Sequence, residues 1–236
     1  MGHKVNPVCL RLPLSRNWRS RWFAPSKTLY VRYLQEDRKI REFLTEQLAS
    51  AAVARIDIER SPDSVRVVVQ TARPGILIGR RGENIQRLQE TVQRIVGMDR
   101  SLKMDYIEIT NPAIEAQLIA DSLAFQLEKR IAFRRAMKRA VQQAMDAGAK
   151  GIRVICDGRL AGAEMTRREG YRQGTVPLST LRSDVDFGQG LAKTAVGCIG
   201  TRVWVCKGEL TDQGRRRGLQ TQKGRTGSPG AGAAAA

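Results

Sequence analysis

The residues of this sequence predict an α+β protein organised as two successive units. Up to Thr110, apolar residues pass from helical spacing to strict alternation and back, as in helices packed on a sheet. Beyond Pro112 a longer helical stretch leads into further strand-like runs. With 236 residues, 42% of them hydrophobic, the chain is long enough to bury two modest cores.

Residues 1–35 read as a basic arm. Lys4, Arg11, Arg16, Arg19 and Arg21 are interleaved with Pro7, Pro13, Trp18, Trp22 and Phe23. This mixture suits a segment threaded along RNA, with arginines on phosphates and rings on exposed bases. It suits equally an arm whose tryptophans dock on the protein's own core.

Residues 36–111 form the first unit. From Glu36 to about Ala51, Ile40, Phe43, Leu44 and Leu48 recur at helical spacing. Ala54, Ile56 and Ile58 then alternate with Arg55, Asp57 and Glu59, and Val65, Val67 and Val69 alternate after the turn Ser61-Pro62-Asp63-Ser64. The result is a hairpin with one buried face. Pro74-Gly75 ends it, and a short apolar turn reaches Ile78. After the loop Gly79-Arg80-Arg81-Gly82, a second helix is marked by Ile85, Leu88, Val92 and Ile95 and stops at Gly97. A strand from about Met104 to Thr110 closes the unit.

Gly-x-x-Gly lets backbone approach a phosphate because no Cβ intervenes, and Arg80 and Arg81 add charge-assisted contacts to the same group. The spacing alone is weak, since it recurs at Gly148/Gly151, Gly197/Gly200, Gly224/Gly227 and Gly227/Gly230. Context distinguishes the copy at Gly79. Helix, strand, strand, short helix, Gly-Arg-Arg-Gly, helix, strand resembles the KH RNA-binding module in its second topology. The resemblance implies that the loop clamps about four nucleotides, helped by free N–H groups at the start of the following helix. Ile78 and Ile85 are candidates for an apolar groove beside it, and core packing is the simpler role for Ile85.

Residues 112–210 form the second unit, an α+β domain with a long basic helix packed on a small sheet. The helical segment is expected from about Ala113 to Ala147, with Leu123, Leu127, Ile131, Met137, Val141 and Met145 as its buried stripe. Its other surface holds Lys129, Arg130, Arg134, Arg135, Lys138 and Arg139. Arg130, Arg134 and Lys138 stack at i, i+4 and i+8, and few acids follow Glu128, which favours a nucleic-acid surface. Strands are expected at Ile152 to Cys156, Leu181 to Phe187 and Cys198 to Lys207. Residues 211–236, with Arg215-Arg216-Arg217 and then Gly, Ser, Pro and Ala, read as a disordered basic tail.

Composition narrows the function. Forty-one Lys and Arg against 23 Asp and Glu give a formal charge of +18 and a pI near 10.7, the footprint of a protein bound to a polyanion. Membrane is disfavoured as that polyanion. No apolar run is long enough to span a bilayer, no signal peptide is expected, and Asn6 breaks the myristoylation pattern. Cys9, Cys156, Cys198 and Cys206 are scattered and the one histidine is His3, so no metal site is expected and free thiols in a reducing cytoplasm are. A metal-dependent nuclease using Asp184, Asp186, Glu164 and Glu169 is a rival, although acids in so basic a chain are needed as partners for arginines. A free-standing RNA-binding regulator fits the charge and the loop as well.

Longer motifs narrow it further. Met1-Gly2-His3-Lys4-Val5-Asn6-Pro7, Trp18-Arg19-Ser20-Arg21-Trp22, the Gly79 loop, Phe133-Arg134-Arg135-Ala136-Met137-Lys138-Arg139-Ala140 and Gly158-Arg159-Leu160-Ala161-Gly162-Ala163-Glu164 occur in this order. Together, from residue 1 to about Leu210, they resemble the family of bacterial small ribosomal subunit protein three. The resemblance implies a component of the subunit head in the cytoplasmic ribosome, in contact with small-subunit ribosomal RNA and neighbouring head proteins. On it, Lys4, Arg11, Arg16, Arg19 and Arg21 are assigned to ribosomal RNA. Arg130, Arg134, Arg135, Lys138 and Arg139 face incoming messenger RNA and assist its unwinding. No cofactor and no enzymatic activity are implied, and no Gly-x-x-x-x-Gly-Lys-Ser/Thr is present. Cys9 and Pro13 depart from the family pattern, which has glycines there, and leave the path of the arm open.

Overall fold

The alternation between residues 53 and 71 folds as the expected hairpin. The structure, a computed structural model, describes residues 4–12, 14–79, 82–97 and 100–210. Strands β2 (Val53–Arg60) and β3 (Ser64–Thr71) pair antiparallel, with Ile56 opposite Val69 and Ile58 opposite Val67. Two short links follow, α3 (Pro74–Ile78) and α4 (Glu83–Val96), and they return the chain to β4 (Ser101–Glu108), parallel to β3. Parallel pairing requires such a crossover. A two-residue strand β1 (Ser20–Arg21) lies parallel to β2, giving the order β1-β2-β3-β4. Helix α2 (Lys27–Gln47) and α4 cover one face, where Ile40, Leu44, Ile58, Val67, Val69 and Val92 are fully buried. Each such aliphatic side chain contributes about 1.5–3 kcal/mol by leaving water.

Helix α2 begins well before the expected Glu36. Ser26 caps it, its Oγ accepting from the Leu29 N–H at 3.3 Å. The added turns are mostly exposed and make aromatic contacts through Tyr30 and Tyr33, so an aliphatic stripe does not reveal them. The Arg60 side chain is 2% exposed and donates to Glu36 at 2.5 Å and Asp37 at 2.6 Å, while its guanidinium lies over the Tyr33 ring. Trp22 packs on Tyr30 and Tyr33 and donates from Nε1 to Asp37 at 2.8 Å. Docking on the protein's own core is therefore what this tryptophan does.

The helical segment of the second unit is not continuous. Helices α5 (Ala116–Glu128) and α6 (Phe133–Asp146) are separated by residues 129–132, and Arg130 takes a left-handed φ of 58°. The break is a Schellman closure: the Arg130 N–H bonds the Leu127 carbonyl, and the Ile131 N–H bonds that of Gln126. Glycine usually fills such a position, so the sequence carries no sign of the stop. Arg130 consequently does not stack with Arg134 and Lys138 on one helix, and Ile131 is exposed instead of lining the buried stripe.

Four antiparallel strands follow, β5 (Gly151–Gly158), β6 (Arg167–Gly174), β7 (Ser183–Thr194) and β8 (Gly197–Glu209), in the order β6-β5-β8-β7. Strand β6 was not foreseen. As a polar edge strand, Arg-Arg-Glu-Gly-Tyr-Arg-Gln-Gly has no apolar alternation to betray it. Ile152, Val154, Cys156, Val203 and Val205 are buried with Leu123, Met137 and Val141 of the two helices. Along β7, glycine allows close approach: a Cβ at Gly188 would stand 2.3 Å from the Ala116 carbonyl oxygen, and one at Gly190 2.7 Å from that of Ala120. The free edge of β7 is closed by the helix itself, because the Gln117 amide donates to the Gln189 carbonyl and accepts from its N–H. Among the described residues, no helix is long and apolar enough to cross a membrane.

Candidate nucleic-acid interface

Helix α6 separates its faces cleanly. Ala136, Met137, Ala140 and Ala144 are buried against the sheet, while Arg134, Arg135, Lys138 and Arg139 are exposed on the other side. Arg134 and Arg135 lie in the first turn, where the helix dipole disfavours cations, and neither an acidic residue nor a side-chain cap offsets them. Charge placed against the dipole in this way costs stability and creates a strongly positive patch suited to phosphate. Strand β6 adds to the patch. Arg167 lies over the Phe133 ring at 5.4 Å, Arg134 over the same ring at 5.6 Å, and Lys138 over Tyr171 at 6.0 Å. Glu169 pairs with Arg167 at 3.1 Å and reaches Arg134 at 3.9 Å. Of the five residues expected together here, the structure gathers Arg134, Arg135, Lys138 and Arg139, and leaves Arg130 exposed on the connection before them. Arg167 is the addition that sequence spacing does not show.

In the first unit, Gly79 and Gly82 occupy the ends of α3 and α4. Gly79 has φ 71° and ψ −175°, a region essentially restricted to glycine, and Gly82 is left-handed at φ 79°. Asn84 closes the turn by donating from Nδ2 to the Ile76 carbonyl at 3.3 Å, and a Cβ at Gly79 would lie 2.6 Å from that same nitrogen. The start of α4 has no side-chain cap, and Glu83 lies in its first turn, where the helix dipole favours a negative charge. Arg80 and Arg81 lie outside the described residues. Ile76 and Ile78 are each 44% exposed beside the loop, whereas Ile85 packs on the core. A cavity of about 230 Å³, lined in part by Ile76, Leu77, Asn84 and Leu88, adjoins the turn.

The arm separates into anchors and exposed groups. Helix α1 (Pro7–Leu10) is capped by Asn6, and Arg11 directly after it is fully buried. The Arg11 guanidinium donates to the carbonyls of Ser183, Pro7, Pro177, Leu178 and Thr180. Its donors are thus spent on carbonyls of the chain itself, which makes it a structural bolt. Arg16 is likewise engaged within the chain: it donates to Asp184 at 2.7 Å and approaches Asp186 at 3.7 Å. Burial disfavours its charge, but Asp186 and Asp184 outweigh that and raise its pKa. Lys4 and Arg19 are exposed, and Arg21 is exposed while paired with Glu59. Trp18 and Phe23, at 61% and 86% exposure, stand out in solvent beside them.

Three of the four acids considered for a metal, Asp184, Asp186 and Glu169, are used as partners. Asp186 also accepts from the Ala116 N–H at 3.2 Å, Glu169 serves Arg167, and Glu164 is exposed. Among the described residues no group of three or more His, Cys, Asp or Glu is placed to hold a metal ion. The expected basic tail, residues 211–236, lies outside the described residues.

Two families match successive parts of the chain. Residues 39–114 match the KH domain family, and residues 123–205 match the family described as ribosomal protein S3, C-terminal domain. The chain is 51% identical over 209 residues to small ribosomal subunit protein uS3 of Methylacidiphilum infernorum, covering 89% of this chain and 97% of that protein. It is 52% identical over 210 residues to the uS3 protein of Rhodospirillum centenum, covering 89% and 92%. With that of Akkermansia muciniphila it shares 50% over 207 residues, covering 88% and 90%. The chain belongs to the uS3 family of small ribosomal subunit proteins.

Proposed function

We propose that this protein is a structural constituent of the small ribosomal subunit, placed in its head, where it binds small-subunit ribosomal RNA and neighbouring head proteins. It meets messenger RNA where the message enters its channel and assists in opening structure in it. The role is that of a binding protein in the cytoplasmic ribosome and not of an enzyme. The observation that carries the reading is the cationic face of α6: Arg134, Arg135, Lys138 and Arg139 are all exposed, two of them against the helix dipole, and Glu169 is the one acid that reaches them among the described residues. Membership of the uS3 family supports the ribosomal setting.

The loop at Gly79 and Gly82, with Arg80 and Arg81, is proposed as a backbone clamp for RNA. Lys4, Arg19 and Arg21 are the arm residues that remain for ribosomal RNA. Sedimentation of an extract from cells expressing the protein tests the placement. Co-migration with small-subunit particles, reversed by high salt, is the expected result. Absence from those particles contradicts it and favours a free-standing RNA-binding protein.

A further inference from the structure

The face of the second sheet turned away from α5 and α6 carries a charge pattern of its own. Register aligns Arg172, Arg153, Trp204 and Phe187 in one row across β6, β5, β8 and β7. Ile152 and Val154 are buried on the helix side, so alternation places this row on the opposite side. Arg153 lies over Trp204 at 5.4 Å, and Trp204 packs on Phe187 at 5.2 Å. Further along the same face, Arg168 and Arg202 converge on Asp157, at 2.5 and 2.6 Å. Between Arg168 and Arg172, Gly170 contributes no side chain, leaving the face shallow.

Like charges directly opposite one another destabilise an antiparallel pair. Arg153 faces Arg172, and neither makes an ion pair with another described residue. Asp157 is shared between two arginines. Four guanidinium groups are thus held on rigid strands, one stacked on an aromatic platform, against a single carboxylate. Such an array lacks anions, and planar guanidinium forks match phosphate oxygens bidentately.

Ile155, Trp204 and Cys206 on this side are buried, so the face is open only where the arginines stand. We propose that this open part is a second RNA-binding surface, gripping the sugar–phosphate backbone through Arg153, Arg172, Arg168 and Arg202. Because β6 is the sheet edge, its alternating arginines serve both sides: Arg167 joins α6, while Arg168 and Arg172 serve the open face. An RNA strand passing round this edge meets both surfaces. The proposal rests on the reading of the chain as an RNA-binding constituent, but not on the message-facing role of α6.

The test uses full-length protein titrated into a fluorescent oligouridine of about 30 nucleotides, between about 50 and 200 mM salt. Four proteins carry substitutions: Arg153→Gln with Arg172→Gln, Arg172→Gln alone, Arg134→Gln with Arg135→Gln, and Arg38→Gln with Lys39→Gln on α2 as a charge control. Each lost phosphate contact lowers the log–log salt slope by about 0.7 for single strands. The expected slopes are shallower by about 1.4 for the sheet pair and about 0.7 for Arg172→Gln, with the control unchanged. Unchanged slopes in both sheet variants, beside a fall in the α6 variant, overturn this proposal and leave the reading of α6 standing. Slopes unchanged in every variant overturn both. A control that falls as far as the sheet pair reduces the effect to net charge and also overturns it. Arg172 is exposed, so its single substitution keeps the test valid should the double variant fold poorly.

Discussion

Arg11 donates from Nε to the Ser183 carbonyl at 2.6 Å, fastening the start of the chain to a strand 172 residues away. Nη2 of the same guanidinium reaches Pro177, Leu178 and Thr180 on the segment leading into β7, and Nη1 donates to the Pro7 carbonyl. A basic residue in a basic arm is thereby turned inward. Arg16 repeats the pattern one turn of chain later through Asp184 and Asp186. The arm is thus clamped to the second unit at Arg11 and Arg16 and docked on the first at Trp22, while Lys4, Trp18, Arg19 and Phe23 remain exposed between and beyond these anchors.

Arg11→Met keeps the stem and removes the donors, leaving several buried carbonyls without partners. A loss of about 3 kcal/mol is expected in urea denaturation of the whole chain, since each unsatisfied buried acceptor costs about 1–3 kcal/mol. A change below about 0.5 kcal/mol, the scale of a surface substitution, contradicts the structural role.

The Arg16 cluster gives a pH signature. Burial alone raises the pKa of Asp186, but Arg16, Lys207 and the Ala116 N–H outweigh it, holding the carboxyl below its ordinary 3.8. Glu115 borders the same cluster, pushed up by burial and opposed by its ion pair with Lys207. A depressed folded pKa means that Asp186 stabilises the fold above its unfolded value, and that this share disappears as pH falls through the depressed one. Thermal midpoints of the natural protein are therefore expected to drop more steeply below about pH 4 than those of Asp186→Asn. Parallel curves would show that the cluster contributes nothing.

Gly79 and Gly82 share a motif but not a constraint. Gly79→Ala meets both a forbidden backbone region and the Asn84 side chain, while a Cβ at Gly82 enters open space in the left-handed region. The expected loss is about 2–3 kcal/mol for the first and about 1 kcal/mol for the second. Equal losses in thermal denaturation would remove Asn84 from the explanation.

Legibility followed the physical source of each element. The hairpin at Ile56 and Val69 and the helix at Leu88 and Val92 were visible because one aliphatic face is buried, and burial writes a period into the sequence. The first turns of α2 were hidden because they are mostly exposed and pack through Tyr30 and Tyr33 on Trp22 and Arg60, with no aliphatic stripe. Strand β6 was hidden because its interface is cationic and aromatic. The stop at Arg130 had no signal, since an arginine takes the left-handed position and no glycine marks it. Of the candidate contacts, the patch on α6 was legible from charge without acids. The division of the arm was not: Arg11 and Arg19 are identical letters, and only their distance from β7 separates them.

The most direct measurement of the central claim replaces Arg134, Arg135 and Lys138 together by Ala and follows translation by particles that contain the variant. All three side chains are exposed, so the fold and the assembly into particles are expected to survive. Elongation through a message hairpin is expected to slow while an unstructured message proceeds at the natural rate. Equal slowing on both messages, or none on either, would contradict a role for α6 in opening incoming message.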